Sequence, residues 1–291
     1  PFNVEEVFQN TVLLGNNNNI FQFESNLGKR CFTELLPMSI DDLSNASGLI
    51  RVLGSDEGRA MYEAYKANVE DIQSYPNKDE RLWEERLFNE VPIEETFLIC
   101  KGVLKKTYGI LIYQEQLCEL VRDLSKGDKT FVDGNNVRKL LGKLLKNHGY
   151  LQDLQGNVEA LKKWHTDFMK VFNTYFKPYL PQQLYTPEDI DFLEFNLDNN
   201  NLIVPPKGIV NWLVMCSVYI FSRLHSIAYS INSYEQLYQK YYYPKQFWLS
   251  VLICDYNSAD DIKDDIAAMT SETDIKILPP DINMSDFLFK E

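Results

Sequence analysis

Apolar residues recur at helical spacing along most of this chain, and that periodicity narrows the fold more than any other feature. Between 157 and 175, Val158, Leu161, Trp164, Phe168, Val171 and Phe172 fall on one stripe. The pattern repeats through 57–72 with Met61, Ala64, Tyr65, Val69 and Ile72, and through 111–124 with Leu117, Leu120, Val121 and Leu124. Residues 209–242 read as one or two long helices. Ser258 is placed to cap a helix through Met269, with Asp260 and Asp261 in a first turn where the helix dipole favours acids. Strand candidates are few and short: 12–14, 20–23 and 276–278. The expectation is a mainly α fold with a few short strands and no internal repeat.

Two stretches read as loops. Four asparagines in a row, Asn16 to Asn19, follow Gly15 and predict a turn. Residues 181–208 hold four prolines and the acids Glu188, Asp189, Asp191, Glu194 and Asp198, which predicts a solvated insertion. The apolar stretch 209–220 is too short to span a bilayer and carries Asn211. Five cysteines, at 31, 100, 118, 216 and 254, include no pair at metal-ligand spacing, which fits reduced thiols in a cytoplasmic protein. Pro1 and the apolar residues before Glu291 suggest a piece of a longer chain.

Acidic residues outnumber basic ones by 42 to 29, a net charge of −13. A self-sufficient nucleic-acid binder is usually basic, so any such contact must come from local basic patches. Two patches qualify. VRKLLGKLLK at 137–146 has four basic residues and no acid. On a helix Lys139, Lys143 and Lys146 share one face, with Val137, Leu140, Leu141, Leu144 and Leu145 on the other side. Such a face can meet phosphate oxygens, or be an ordinary solvated lysine face. In 219–248, Arg223, His225, Lys240 and Lys245 are interleaved with nine aromatics after Tyr219. That mixture suits phosphate contact with base stacking, although most of the rings have core spacing. In TYGILIYQEQ at 107–116 an apolar stretch turns into a helix, and Glu115 has no visible carboxylate partner. The chain has no Walker-type glycine loop, nucleophile elbow, histidine cluster or aspartate pair on an apolar strand.

These stretches, in this order, resemble the fingers of C-family replicative DNA polymerases of the bacterial DNA polymerase III alpha subunit type. IFQFES at 20–25, LLPMSIDDL at 35–43, TYGILIYQEQ at 107–116, VRKLLGK at 137–143, FSRLHSIAYSINSY at 221–234, YYYPKQF at 241–247 and ILPPDIN at 277–283 each match a family block. The similarity runs over about residues 12–289. The family's Arg-Pro-Gly-Pro turn is here Arg51-Val52-Leu53-Gly54. Both glycines of its Gly-Tyr-Gly-Phe run are replaced, by Val218 and Ile220. The divergence suggests a phage or mobile-element polymerase.

The resemblance implies roles and partners. It places Arg138, Lys139, Lys143, Arg223 and His225 near the incoming nucleotide and sets Arg51 on the Arg of the family's turn; Arg51, with Lys146 of the basic face, is expected to contact DNA. It implies residues 1–30 as a link from the palm, 31–254 as helical fingers, and 255–291 as the start of a following helical segment. It implies DNA-directed DNA polymerase activity in a longer chain, with template-primer DNA, deoxynucleoside triphosphates and a sliding clamp or other replisome subunits as partners. Magnesium would be held by palm carboxylates outside this chain. The competing expectation is a non-catalytic helical interaction module or a split polymerase subunit.

Replacing 181–208 with a short Gly-Ser linker is expected to move the melting temperature by less than about 2–4 °C, the shift that about 1 kcal/mol produces in a chain of this size. Differential scanning calorimetry of the two chains decides it, and a larger drop would show that the segment packs.

Overall fold

Helical stripes of buried side chains organise everything that the computed structural model describes, namely residues 4–54, 56–74, 99, 102–148, 154, 157–181, 221–281, 285 and 289. Residues 182–220, which contain nearly all of the expected insertion and the 209–220 stretch with Cys216, lie outside that set, as does Cys100. The helices are α1 (Glu5–Thr11), α2 (Asn26–Leu35), α3 (Ile40–Val52), α4 (Asp56–Ser74), α5 (Gln114–Leu124), α6 (Phe131–His148), α7 (Val158–Tyr175), α8 (Arg223–Tyr242), α9 (Pro244–Cys254) and α10 (Ala259–Glu272). The helices expected over 57–72, 111–124, 157–175 and 258–269 are all present, with α5 starting at Gln114 rather than 111. The three strand candidates are not strands: 12–14 and 20–23 are turns and links, and 276–278 lies outside any helix or strand. Their apolar residues serve helix ends instead, as in Val12, whose N–H closes the last turn of α1 on the Phe8 carbonyl at 2.9 Å. Among the described residues the pairing of strand type is one parallel bridge, Tyr113 with Phe221.

The chain divides into two compact units, Arg51–Arg223 and Pro1–Ile50 with Leu224–Glu291. This division by packing differs from the 1–30, 31–254 and 255–291 partition that the resemblance implies. In the Arg51–Arg223 unit, α5, α6 and α7 bury their stripes against one another. Trp164, Phe168, Phe172 and Phe176 repeat every four residues along α7, with near-parallel rings 5.1, 6.3 and 6.5 Å apart. Asn157 caps α7 by accepting from the Ala160 N–H at 3.1 Å. The turn 125–130 returns the chain from α5 to α6 through Lys126 and Gly127, both at positive φ. The two helices touch where Gly134 meets the backbone of Cys118, and a Cβ at 134 would stand 2.5 Å from Cys118 Cα. Gly142, two turns further along α6, has nothing within 4 Å of the corresponding point.

The other unit packs α8, α9 and α10 with α1, α2 and the start of α3. Its centre holds Phe8 against Tyr234 and Phe23 against Phe32, with ring centroids 5.4 and 5.2 Å apart. The side of α8 turned inward carries Ser226, Ser230 and Ser233 with Tyr234 and Leu237, whereas Ile227 and Ile231 are only half-buried. The apolar spacing of Ile227, Ile231, Tyr234 and Tyr238 therefore marks the edge of that face rather than its middle. Serine can take the middle because its hydroxyl is small and finds a carbonyl nearby. Ser226 donates to the Ser44 carbonyl at 2.7 Å, Ser230 to Ser226 at 2.9 Å and Ser233 to Phe21 at 2.8 Å.

The four-asparagine turn does more than reverse the chain. Lys240 of α8 and Glu272 of α10 form an ion pair at 2.5 Å with side chains only 4% and 5% exposed. Lys240 also donates to the Asn18 carbonyl at 2.6 Å and lies 4.9 Å from the Trp248 ring centroid. Glu272 accepts from the Asn18 side chain at 2.8 Å. Asn18 Oδ1 in turn accepts from Lys29 of α2 at 2.7 Å, and Asn19 donates to Asp265 of α10 at 2.7 Å. The turn thus joins three helices by side-chain and carbonyl contacts at a buried ion pair. Burial lowers the Lys240 pKa to about 8, against the opposing pull of Glu272.

Three measurements follow from this packing. In urea denaturation Gly134→Ala should cost about 1–3 kcal/mol by overpacking, while Gly142→Ala should gain about 0.5–1 kcal/mol by removing a flexible residue from a helix. Lys240→Met leaves Glu272 buried without its cation and should cost about 3–5 kcal/mol, most of which Lys240→Met with Glu272→Gln should recover. Because the folded-state pKa lies below the unfolded value of 10.5, the unfolded chain holds more protons between these values and stability rises there with pH. The native chain should show this rise between pH 8 and 10.5, and the Lys240→Met chain should lack it.

Candidate functional site

The TYGILIYQEQ stretch folds into a tight scaffold before α5. Tyr108 and Gly109 take positive φ of 49° and 83°, which turns the chain out of the 3₁₀ segment Lys105–Thr107. Residues 111–113 then run extended and buried into the first turn of α5. Gln116 holds this shape. Its Oε1 accepts from the N–H groups of Ile112 and Tyr113 at 3.0 and 2.9 Å, and its Nε2 donates to Thr107 Oγ1 and the Val103 carbonyl at 2.7 and 3.2 Å. All four hydrogen-bonding positions of a buried amide are thereby used, the condition under which burying one is favourable.

The segment 221–223 is fastened to that scaffold. Phe221 N–H donates to the Ile112 carbonyl at 3.2 Å, and its own carbonyl accepts from Gln114 N–H at 3.0 Å. Glu115 completes the junction. One carboxylate oxygen accepts from Ser222 Oγ and the other from the Arg223 backbone N–H, each at 2.9 Å. Arg223 opens α8, so a carboxylate meets a helix N-terminus whose dipole and unsatisfied N–H favour it. Sequence reasoning missed these partners because they come from more than 100 positions away. The one signal in the sequence was an acid at the mouth of an apolar helix.

The candidate cations sort into groups. Arg51 ends α3, and its guanidinium lies 5.8 Å from the centroid of Phe221, beside the residue that leads into Arg223. The Arg-Val-Leu-Gly sequence thus makes a helix end followed by a turn at Leu53-Gly54. Arg138 sits half-buried on the flank of α6, with Nε donating to Asn135 Oδ1 at 3.0 Å. It lies one turn after Gly134, and its charge reaches α5: burial pushes the Cys118 thiol up, Arg138 pulls it back, and Glu115 and Glu119 push it further. Arg51 thus lies against the 221–223 segment, and the Arg223 backbone is held by Glu115 in the first turn of α5.

Lys139, Lys143 and Lys146 point elsewhere. All three are exposed on one face of α6, opposite the buried Val137, Leu141 and Leu144. Leu140, expected on the covered side, is 37% exposed, because it stands about 100° around the helix from Lys139 on the shoulder between the faces. His225 belongs to the other compact unit, where its exposed ring meets Tyr229 edge-on at 4.2 Å. Lys240 is withdrawn from any phosphate by its ion pair, while Lys245 is exposed. Among the described residues no three His, Cys, Asp or Glu side chains converge to hold a metal ion. The Asp42 carboxylate accepts from Ser39 Oγ at a helix start, and the Asp261 backbone N–H donates to the capping Ser258 Oγ. No helix among the described residues is long and apolar enough to cross a membrane.

Comparison with known proteins agrees with this architecture. The family model described as the bacterial DNA polymerase III alpha subunit finger domain matches residues 3–163. The chain is 26% identical over 273 residues to the DNA polymerase III subunit alpha of Campylobacter jejuni, covering 94% of this chain and 18% of that protein. It is 26% identical over 265 residues to that of Ureaplasma parvum, covering 91% and 21%. It is 24% identical over 287 residues to that of Helicobacter pylori, covering 97% and 18%. The chain thus spans about a fifth of the length of these curated relatives.

Proposed function

The chain belongs to the bacterial DNA polymerase III alpha subunit finger domain family, and on that premise we propose that it acts as the fingers of a longer DNA-directed DNA polymerase, gripping the incoming deoxynucleoside triphosphate and the template-primer end. The observation that carries the reading is the exposed face of Lys139, Lys143 and Lys146 on α6, with Arg138 on its flank, in a chain of net charge −13. Cations concentrated on one rigid helix within an acidic protein are the arrangement a phosphate-bearing ligand requires.

The division of labour follows the geometry. Arg138 and Arg223, on half-buried positions near the start of α5, are suited to fixed contacts with the triphosphate, and a planar guanidinium can hold two phosphate oxygens at once. Lys139 and Lys143, exposed on α6, offer point charges to a phosphate-bearing ligand on that face. Lys146 and Arg51 serve the template-primer backbone. Phosphoryl transfer asks little covalent chemistry of a protein and much positioning and charge, which is what these side chains supply. Magnesium, held by carboxylates outside this chain, would neutralise the transferring phosphates. A sliding clamp or other replisome subunits would engage the longer protein.

In the full-length polymerase, Arg138→Ala and Lys143→Ala should each lower kcat/KM for nucleotide by about one to two decades, the loss of one charge-assisted contact of about 1.5–3 kcal/mol. Lys263→Ala, on the exposed side of α10, should leave it unchanged. Steady-state primer extension measures all three, and equal losses at the three positions would remove the case for a nucleotide-binding face on α6.

A further inference from the structure

We propose that Glu115 is the positioning residue of the nucleotide site, fixing the backbone from which the Arg223 guanidinium reaches the triphosphate. The inference rests on the reading of Arg223 as a phosphate ligand. An arginine side chain is long, so its aim depends on how firmly its own backbone is held. Here the segment is held from both sides. Phe221 exchanges backbone hydrogen bonds with Ile112 and Gln114, and Glu115 fastens the next two residues with one oxygen each, on Ser222 Oγ and on Arg223 N–H.

Glu115 is itself immobilised. It stands in the first turn of α5 beside Gln116, whose buried amide fixes the chain on either side of Tyr113. The clamp therefore transmits the rigidity of α5 to the start of α8. It also occupies the Arg223 N–H, one of the donors that a helix start would otherwise offer an anion. The triphosphate is then met by the arginine side chain rather than by that N–H. Glu115 touches no substrate and works only through Arg223.

The test uses the full-length polymerase, with nucleotide KM, kcat and primer-template Kd measured for Glu115→Ala, Glu115→Gln, Arg223→Ala and the Glu115→Ala/Arg223→Ala pair. Glu115→Ala should raise KM about tenfold while kcat and primer-template Kd stay within about twofold. Glu115→Gln, which keeps an acceptor at the same reach, should restore KM to within about threefold of the native value. The double variant should be no worse than Arg223→Ala, since the two residues act as one unit. If Glu115→Ala does not fold, Glu115→Asp, shorter by one methylene, is read by the same criteria. A raised KM in Arg223→Ala with an unchanged KM in Glu115→Ala, or losses that multiply in the double variant, overturns the positioning role and leaves the nucleotide reading standing. An unchanged KM in Arg223→Ala overturns both.

Discussion

Two adjacent side chains, Glu115 and Gln116, hold together the part of this protein where its candidate site lies. Gln116 works inward, tying 103, 107, 112 and 113 into the entry of α5. Glu115 works outward, tying 222 and 223 to the same helix. Neither interaction has a large net value alone, because each replaces hydrogen bonds to water. Their importance is that the groups they satisfy are removed from solvent, where an unmade bond costs more than a made one contributes. Arg51, over the Phe221 ring, and Arg223, bound through its N–H, both adjoin the short backbone pairing beside these residues.

The Lys240–Glu272 pair gives the other unit a comparable anchor of a different kind. A buried ion pair is a weak source of stability, since desolvation offsets most of the attraction. Losing either partner would leave the other charge buried alone, which is where its energetic weight lies. The asparagine turn makes the pair tolerable by supplying carbonyl acceptors to the lysine and amide donors to the carboxylate. In this acidic chain Lys240 is consumed by the fold, whereas Lys139, Lys143 and Lys146 on α6 face solvent.

The helices were legible because their signal is local and periodic. The stripe from Val158 to Phe172, the Ser258 cap and the acids at helix starts depend on residues within one or two turns of each other. The strand readings at 12–14, 20–23 and 276–278 failed for the same locality: short apolar runs do not say whether a neighbouring strand exists to pair with them. The serine stripe of α8 escaped notice because burial was inferred from apolar character, whereas Ser226, Ser230 and Ser233 are buried with their hydroxyls on carbonyls.

Of the site, the sequence by itself determined the cations. The spacing of Lys139, Lys143 and Lys146 on one helical face is a property of helix geometry and needed no partner to be read. Which cations stand together was decided only by tertiary structure. Arg138 lies next to Lys139 in sequence but is half-buried with Nε on Asn135 Oδ1, whereas Lys139 is exposed. The backbone N–H of Arg223 donates to Glu115 across 108 positions. Such contacts depend on loop closure and on the packing of separate helices, and neither leaves a trace in the residues on either side of them.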